Sequence, residues 1–116
     1  MRPMTKQKRL SPKRFNVYVV ELEPVVLRIR KFRSENPNYV EGQACLYVGM
    51  TALEPEERLA RHRSGWKSNS YVRRYGKWLR RRLYARYNPM TYREAQKREA
   101  QLADDLRRRG YAVWQR

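Results

Sequence analysis

Cysteine and histidine each occur once in this chain, at Cys45 and His62. A lone cysteine excludes an intramolecular disulfide, and one residue of each kind cannot assemble the Cys/His set of a structural zinc site. Cys45 directly precedes an apolar triplet and reads as a small core residue rather than a nucleophile. The five glycines are scattered and form no phosphate-cradling loop. There is no serine, histidine and aspartate set and no internal repeat. Acidic residues are also scarce, 11 against 28 lysines and arginines, for a formal charge of +17. No apolar run approaches the roughly 18 residues of a membrane span. The first residues are charged and lack the apolar centre of a signal peptide, so cytoplasmic residence is the expectation.

What remains is a cationic chain of 116 residues, 41% hydrophobic, enough for one domain with a modest core. Such an excess of positive charge seeks polyanions. With nine tyrosines and three tryptophans interleaved among the arginines, nucleic acid is the expected partner, since rings stack on bases as readily as they pack a core. An anionic membrane surface fits less well, because no long basic amphipathic helix with an exposed apolar face is written here.

Residues 1–14 are basic and poor in apolar side chains, either an arm that lies along phosphates or a tail without a role. The domain then occupies 15–116. Phe15 to Glu23 is apolar on both alternating faces, the pattern of a central strand ended by Pro24. Residues 24–44 form an insertion in which Val25, Ile29 and Phe32 fall at helical spacing, although β-branched residues leave a hairpin arm open. Asn36-Pro37-Asn38 begins a turn-rich return.

A second short strand, Leu46 to Val48, precedes a turn at Gly49 and a helix opening at Pro55. Arg58 and His62, four apart, share one face of that helix, and Ser64-Gly65 stops it. Ser70 caps a short helix ended by Gly76, and Trp78 to Tyr87 reads as a third strand carrying Arg80, Arg82 and Arg86 on one face. With Arg73, Arg74 and Lys77, this density of charge favours phosphate contact over an ordinary solvated face. Thr91 and Glu94 form a capping box for the longest helix, Tyr92 to Arg109, closed by Gly110. Glu94 and Arg98 should pair on its polar side. Glu99 falls inside the apolar stripe of Ala95, Leu102 and Leu106, where a carboxylate must be hydrogen-bonded, ion-paired or bound to a metal. Tyr111 to Trp114 adds a last short strand or packs across the sheet. The expected fold is α+β, a small, mostly antiparallel sheet of about three strands flanked by helices.

The order of strand tyrosine, strand tyrosine-valine-glycine, helix arginine and late helix glutamate resembles the GIY-YIG nuclease family, over residues 15 to about 110. The matching positions are Asn16-Val17-Tyr18, Tyr47-Val48-Gly49, Arg58, His62 and Glu99. The chain departs from that pattern at Asn16, where the family often has glycine, and has Gln115 as the nearest amide to a late asparagine. The resemblance implies a metal-dependent endonuclease that hydrolyses DNA phosphodiester bonds. Tyr47 would be the general base, Tyr18 would position the water, and Arg58 would hold the scissile phosphate. His62 would orient or share a proton with Tyr47, or else be a helix-surface histidine. Glu99 would hold one Mg²⁺ or Mn²⁺ per site. Gly49, Arg61 and Lys67 join the cations above as expected nucleic-acid contacts. The alternative is a non-catalytic DNA- or RNA-binding module on the same frame. High sequence specificity would require a homodimer or a partner protein, since no separate recognition domain is present.

Overall fold

The computed structural model describes residues 12–115, and most of the basic N-terminal arm lies outside them. The architecture is α+β, with a four-stranded sheet in the order β3-β1-β2-β4. Strand β1 is Asn16–Leu22, β2 is Cys45–Thr51, β3 is Gly76–Leu79 and β4 is Ala112–Gln115. β1 pairs antiparallel with both β2 and β3, while β4 adds in parallel to the free edge of β2. The expected three strands thus become four, in a mixed sheet. The fourth forms because the chain reverses through Gly110 at φ +94° and buries Ala112 and Val113 completely.

β1 is central, as its two apolar faces require, and Val17 through Val20 are fully buried. The two-residue period of the strands divides the side chains between two faces. Tyr18 pairs with Gly49, Val20 with Tyr47, and Tyr47 with Trp114, so these share one face. That face is covered by three helices, α1 (Arg30–Ser34), α2 (Pro55–Ser64) and α3 (Ser70–Tyr75). Trp114 packs against Phe32 of α1 and Tyr71 of α3, with ring centroids 6.3 and 4.9 Å away. Phe15, Val17 and Val19 fall on the other face, where Phe15 meets Tyr92 edge-on at 5.2 Å. Tyr92 opens α4 (Tyr92–Arg108), which buries Ala95, Leu102, Ala103 and Leu106. Thr91 Oγ1 accepts from the Glu94 N–H and the Glu94 carboxylate accepts from the Thr91 N–H, completing the capping box.

The insertion is helical, as its apolar spacing indicates, a 3₁₀ turn at Pro24–Arg28 followed by α1 in place of the alternative hairpin arm. It is stitched to β4 by the buried Asn36 amide, whose Oδ1 accepts from the Val113 N–H at 2.7 Å and whose Nδ2 donates to Val113 O at 3.1 Å. Gly49 lies within β2 and makes no turn. The cap of α3 is Asn69, not Ser70. The third strand ends at Leu79, and Arg81–Leu83 and Ala85–Tyr87 are 3₁₀ turns. Beyond Arg80, the edge of β1 is paired by a side chain instead of a strand. The Val17 N–H donates to Asn88 Oδ1 and Asn88 Nδ2 donates to Val17 O, each at 2.9 Å. One carboxamide thus satisfies both backbone groups, and the alternating run beside it is free to coil.

Candidate active site

Gly49 gives the two strand tyrosines their space. A Cβ at that position would lie 2.8 Å from the Tyr18 hydroxyl oxygen and 3.0 Å from Tyr47 Cε2. Helix α2 delivers the other two members. Pro55 sits in its first turn beside Glu56 and Glu57, which complement the positive end of the helix, and Gly65 closes it in the left-handed region at φ +90°. Leu59 is buried on its packed face, and His62 follows one turn later, 1% exposed. His62 is therefore an interior residue and not a helix-surface one.

His62 Nε2 and the Tyr18 hydroxyl are hydrogen-bonded at 2.8 Å, while the Asn69 N–H donates to His62 Nδ1 at 3.0 Å. Nδ1 is thereby an acceptor, which puts the proton of the neutral ring on Nε2, donated to the Tyr18 oxygen. The Tyr47 and His62 rings meet edge-on at 6.0 Å. Burial, and then the Arg58 charge, pushes the imidazole pKa down to about 4. Burial and the neighbouring Tyr47 push the Tyr18 phenol well above its usual range, against a smaller opposite pull from Arg58.

These residues surround one open cavity of about 340 Å³, lined by Tyr18, Tyr47, Met50, Arg58, His62 and the loop residues Lys67, Ser68 and Asn69. Arg58 donates to Lys67 O at 2.7 Å and to Trp66 O at 3.4 Å, tying the loop to the helix. A half-buried guanidinium and an exposed ammonium at the mouth, with phenols inside, suit a phosphate bearing an attacking water.

Glu99 is the one acidic side chain among the buried residues described, 8% exposed in the packed stripe of α4. It does not line the tyrosine cavity. α4 runs back along the sheet from Tyr92 near Phe15 to the turn before β4. At about 1.5 Å per helical residue, Glu99 lies on the order of 10 Å before Leu106 along α4. Among the described residues no group of three or more His, Cys, Asp or Glu comes together. A single hard carboxylate fits Mg²⁺ or Mn²⁺ that takes its other oxygens from water and phosphate, and does not fit zinc.

The expected nucleic-acid contacts divide. Arg73 and Arg74 on α3, and Arg82 and Arg86 in the 3₁₀ turns, are exposed. Lys77 and Arg80 are already engaged by Glu21 at 3.8 and 3.0 Å. Arg61 pairs with Glu57 at 3.2 Å and packs over the Trp66 ring, and Lys67 stands at the cavity mouth. Gly49 is buried and contributes room, not contact. Glu94 is occupied by its cap, and Arg98 lies over the Tyr87 ring instead of pairing with it. Asn69 and Trp66 escaped the sequence reading, although an asparagine one residue before a helix is a capping signal. Among the described residues no helix is long and apolar enough to cross a membrane. No family model, curated protein or solved structure matches the chain.

Proposed function

We propose that this protein is a metal-dependent endonuclease that hydrolyses DNA phosphodiester bonds. The observation that carries the reading is the meeting of Tyr18 and Tyr47, from adjacent strands, with Arg58 and His62, from one helix, around a single cation-rimmed cavity. Arg58 and Lys67 bind the scissile phosphate and offset the charge that builds on it. Water oxygen adds to phosphorus as the bond to the 3′ oxygen breaks. The Tyr47 phenolate takes the proton of that water, and the departing 3′ oxygen is protonated from solvent. A free phenol, with pKa near 10, is a poor base at neutral pH, so the reading asks the cationic rim of the cavity to favour the phenolate. Tyr18, accepting from His62 Nε2, is held beside Tyr47 where it would help to orient the water. A divalent cation held by Glu99 would supply charge stabilisation, but Glu99 does not line the tyrosine cavity, so the steps above are carried by the cavity residues alone.

A non-catalytic nucleic-acid module is favoured by one feature: the Arg58 guanidinium already donates to two loop carbonyls. End-labelled single-stranded and duplex DNA, incubated with Mg²⁺ or Mn²⁺ and with EDTA, separates the two. Metal-dependent scission by the wild type, lost in Tyr47→Phe and Glu99→Ala while both remain folded and still bind, is the expected result. Binding without scission under every condition would establish the module instead.

A further inference from the structure

Trp66 is an exposed indole at the mouth of the tyrosine cavity, and the hydrolytic reading makes no use of its ring. It is 47% exposed, whereas Trp114 is packed between Phe32 and Tyr71. The next three residues, Lys67, Ser68 and Asn69, line the cavity itself. The Trp66 backbone is fixed: its N–H donates to Arg61 O at 3.0 Å and its carbonyl accepts from Arg58. Three cations surround the ring, Arg61 at 4.5 Å, Lys67 at 5.3 Å and Arg58 at 5.8 Å from its centroid. Lys67 takes a left-handed backbone, φ +43°, that side-chain-bearing residues rarely adopt.

A large ring kept in water beside three cations matches the layout of a nucleotide, in which a phosphate and a flat base lie side by side. The base must be unpaired, because within an intact duplex both its faces are already covered by its neighbours. We propose that Trp66 is the stacking platform for one unpaired base adjoining the phosphate held at Arg58. The site then takes single-stranded or locally unpaired nucleic acid in preference to intact duplex. The inference rests on the reading of this cavity as a nucleic-acid site.

The test is binding in EDTA, where cleavage does not intervene. Fluorescein-labelled oligothymidylate of about 15 nucleotides, near the upper end of ordinary single-strand site sizes, and a blunt duplex of similar length are titrated by anisotropy with wild type, Trp66→Ala and Trp66→Phe. Loss of one stacked base should weaken single-strand binding by Trp66→Ala about tenfold, with Trp66→Phe recovering most of it and duplex affinity changing less than about twofold. Circular dichroism confirms that each variant is folded. Equal weakening of both ligands, or none, overturns the inference while leaving the nucleic-acid reading intact. If the wild type binds neither oligonucleotide, that reading fails and the inference fails with it.

Discussion

The main-chain N–H of Asn69 donates to His62 Nδ1 at 3.0 Å, and this bond decides where the histidine proton resides. With Nδ1 occupied as an acceptor, Nε2 carries the hydrogen and points it at Tyr18. Protonating the ring would remove the acceptor and place a second positive charge near the Arg58 guanidinium on a buried side chain.

A pH dependence of stability follows. The folded pKa of His62 is about 4, below its ordinary 6.5, so between those values the unfolded chain binds a proton that the folded chain does not. Stability contributed by the neutral histidine is full above pH 6.5 and falls as the pH drops towards 4, by on the order of 3 kcal/mol at the limit. Denaturant midpoints measured at pH 7 and pH 5 should differ in the wild type and differ much less in His62→Gln. The Glu94 carboxyl, held below its usual value chiefly by its bond to the Thr91 backbone, acts with the same sign but at lower pH. An equal pH slope in both proteins would remove His62 as the cause.

Gly49→Ala tests the room between the tyrosines. The new methyl carbon would stand 2.9 Å from Tyr18 Cζ as well as 2.8 Å from its hydroxyl oxygen, so removing the hydroxyl alone does not relieve it. Tyr18 is fully buried among packed neighbours and has little freedom to withdraw. Overpacking of this kind costs about 1–3 kcal/mol. Thermal melts should fall by roughly 5–15 °C, and cleavage should fall with them, because the Tyr18 hydroxyl must leave its place opposite His62. A variant with unchanged melting and activity would show that the two rings slide freely.

The sequence was most legible where a single local interaction sets the outcome. The Thr91/Glu94 box, Pro55, Gly65, Gly110 and the inward Glu99 stripe all stand where local chemistry places them. It was least legible where a distant residue competes. Trp78 to Tyr87 alternates like a strand, yet the Asn88 carboxamide claims the edge of β1 opposite Val17, and the segment coils. β4 depends in the same way on Asn36, 77 residues away from Val113. Of the site, the four cavity residues were readable as types at spacings. The orientation of His62 was not, since it comes from a backbone N–H seven residues on, in a loop whose shape only the fold supplies.

Positive charge alone is a poor guide to phosphate contact in a chain this basic, and Glu21 makes a sharp distinction among the arginines. It holds Arg80 at 3.0 Å and Lys77 at 3.8 Å, and these side chains are mostly covered. Arg73 and Arg74 are exposed and form no ion pair among the described residues. Neutralising a cation that touches phosphate lowers the slope of log K against log salt by about 0.7 for single strands and about 0.9 for duplex. Arg73→Gln with Arg74→Gln should therefore reduce the slope by up to about 1.4 for single strands and about 1.8 for duplex, and leave the melting temperature nearly unchanged. Arg80→Gln should do the reverse. It leaves the slope intact, because the lost charge was already balanced, and it lowers stability by up to about 1 kcal/mol by depriving half-buried Glu21 of its nearer partner. Anisotropy titrations at several salt concentrations, with melts on the same samples, measure both quantities. A slope that drops with Arg80→Gln and stays constant with the α3 pair would move the nucleic-acid track from the helix to the edge of the sheet.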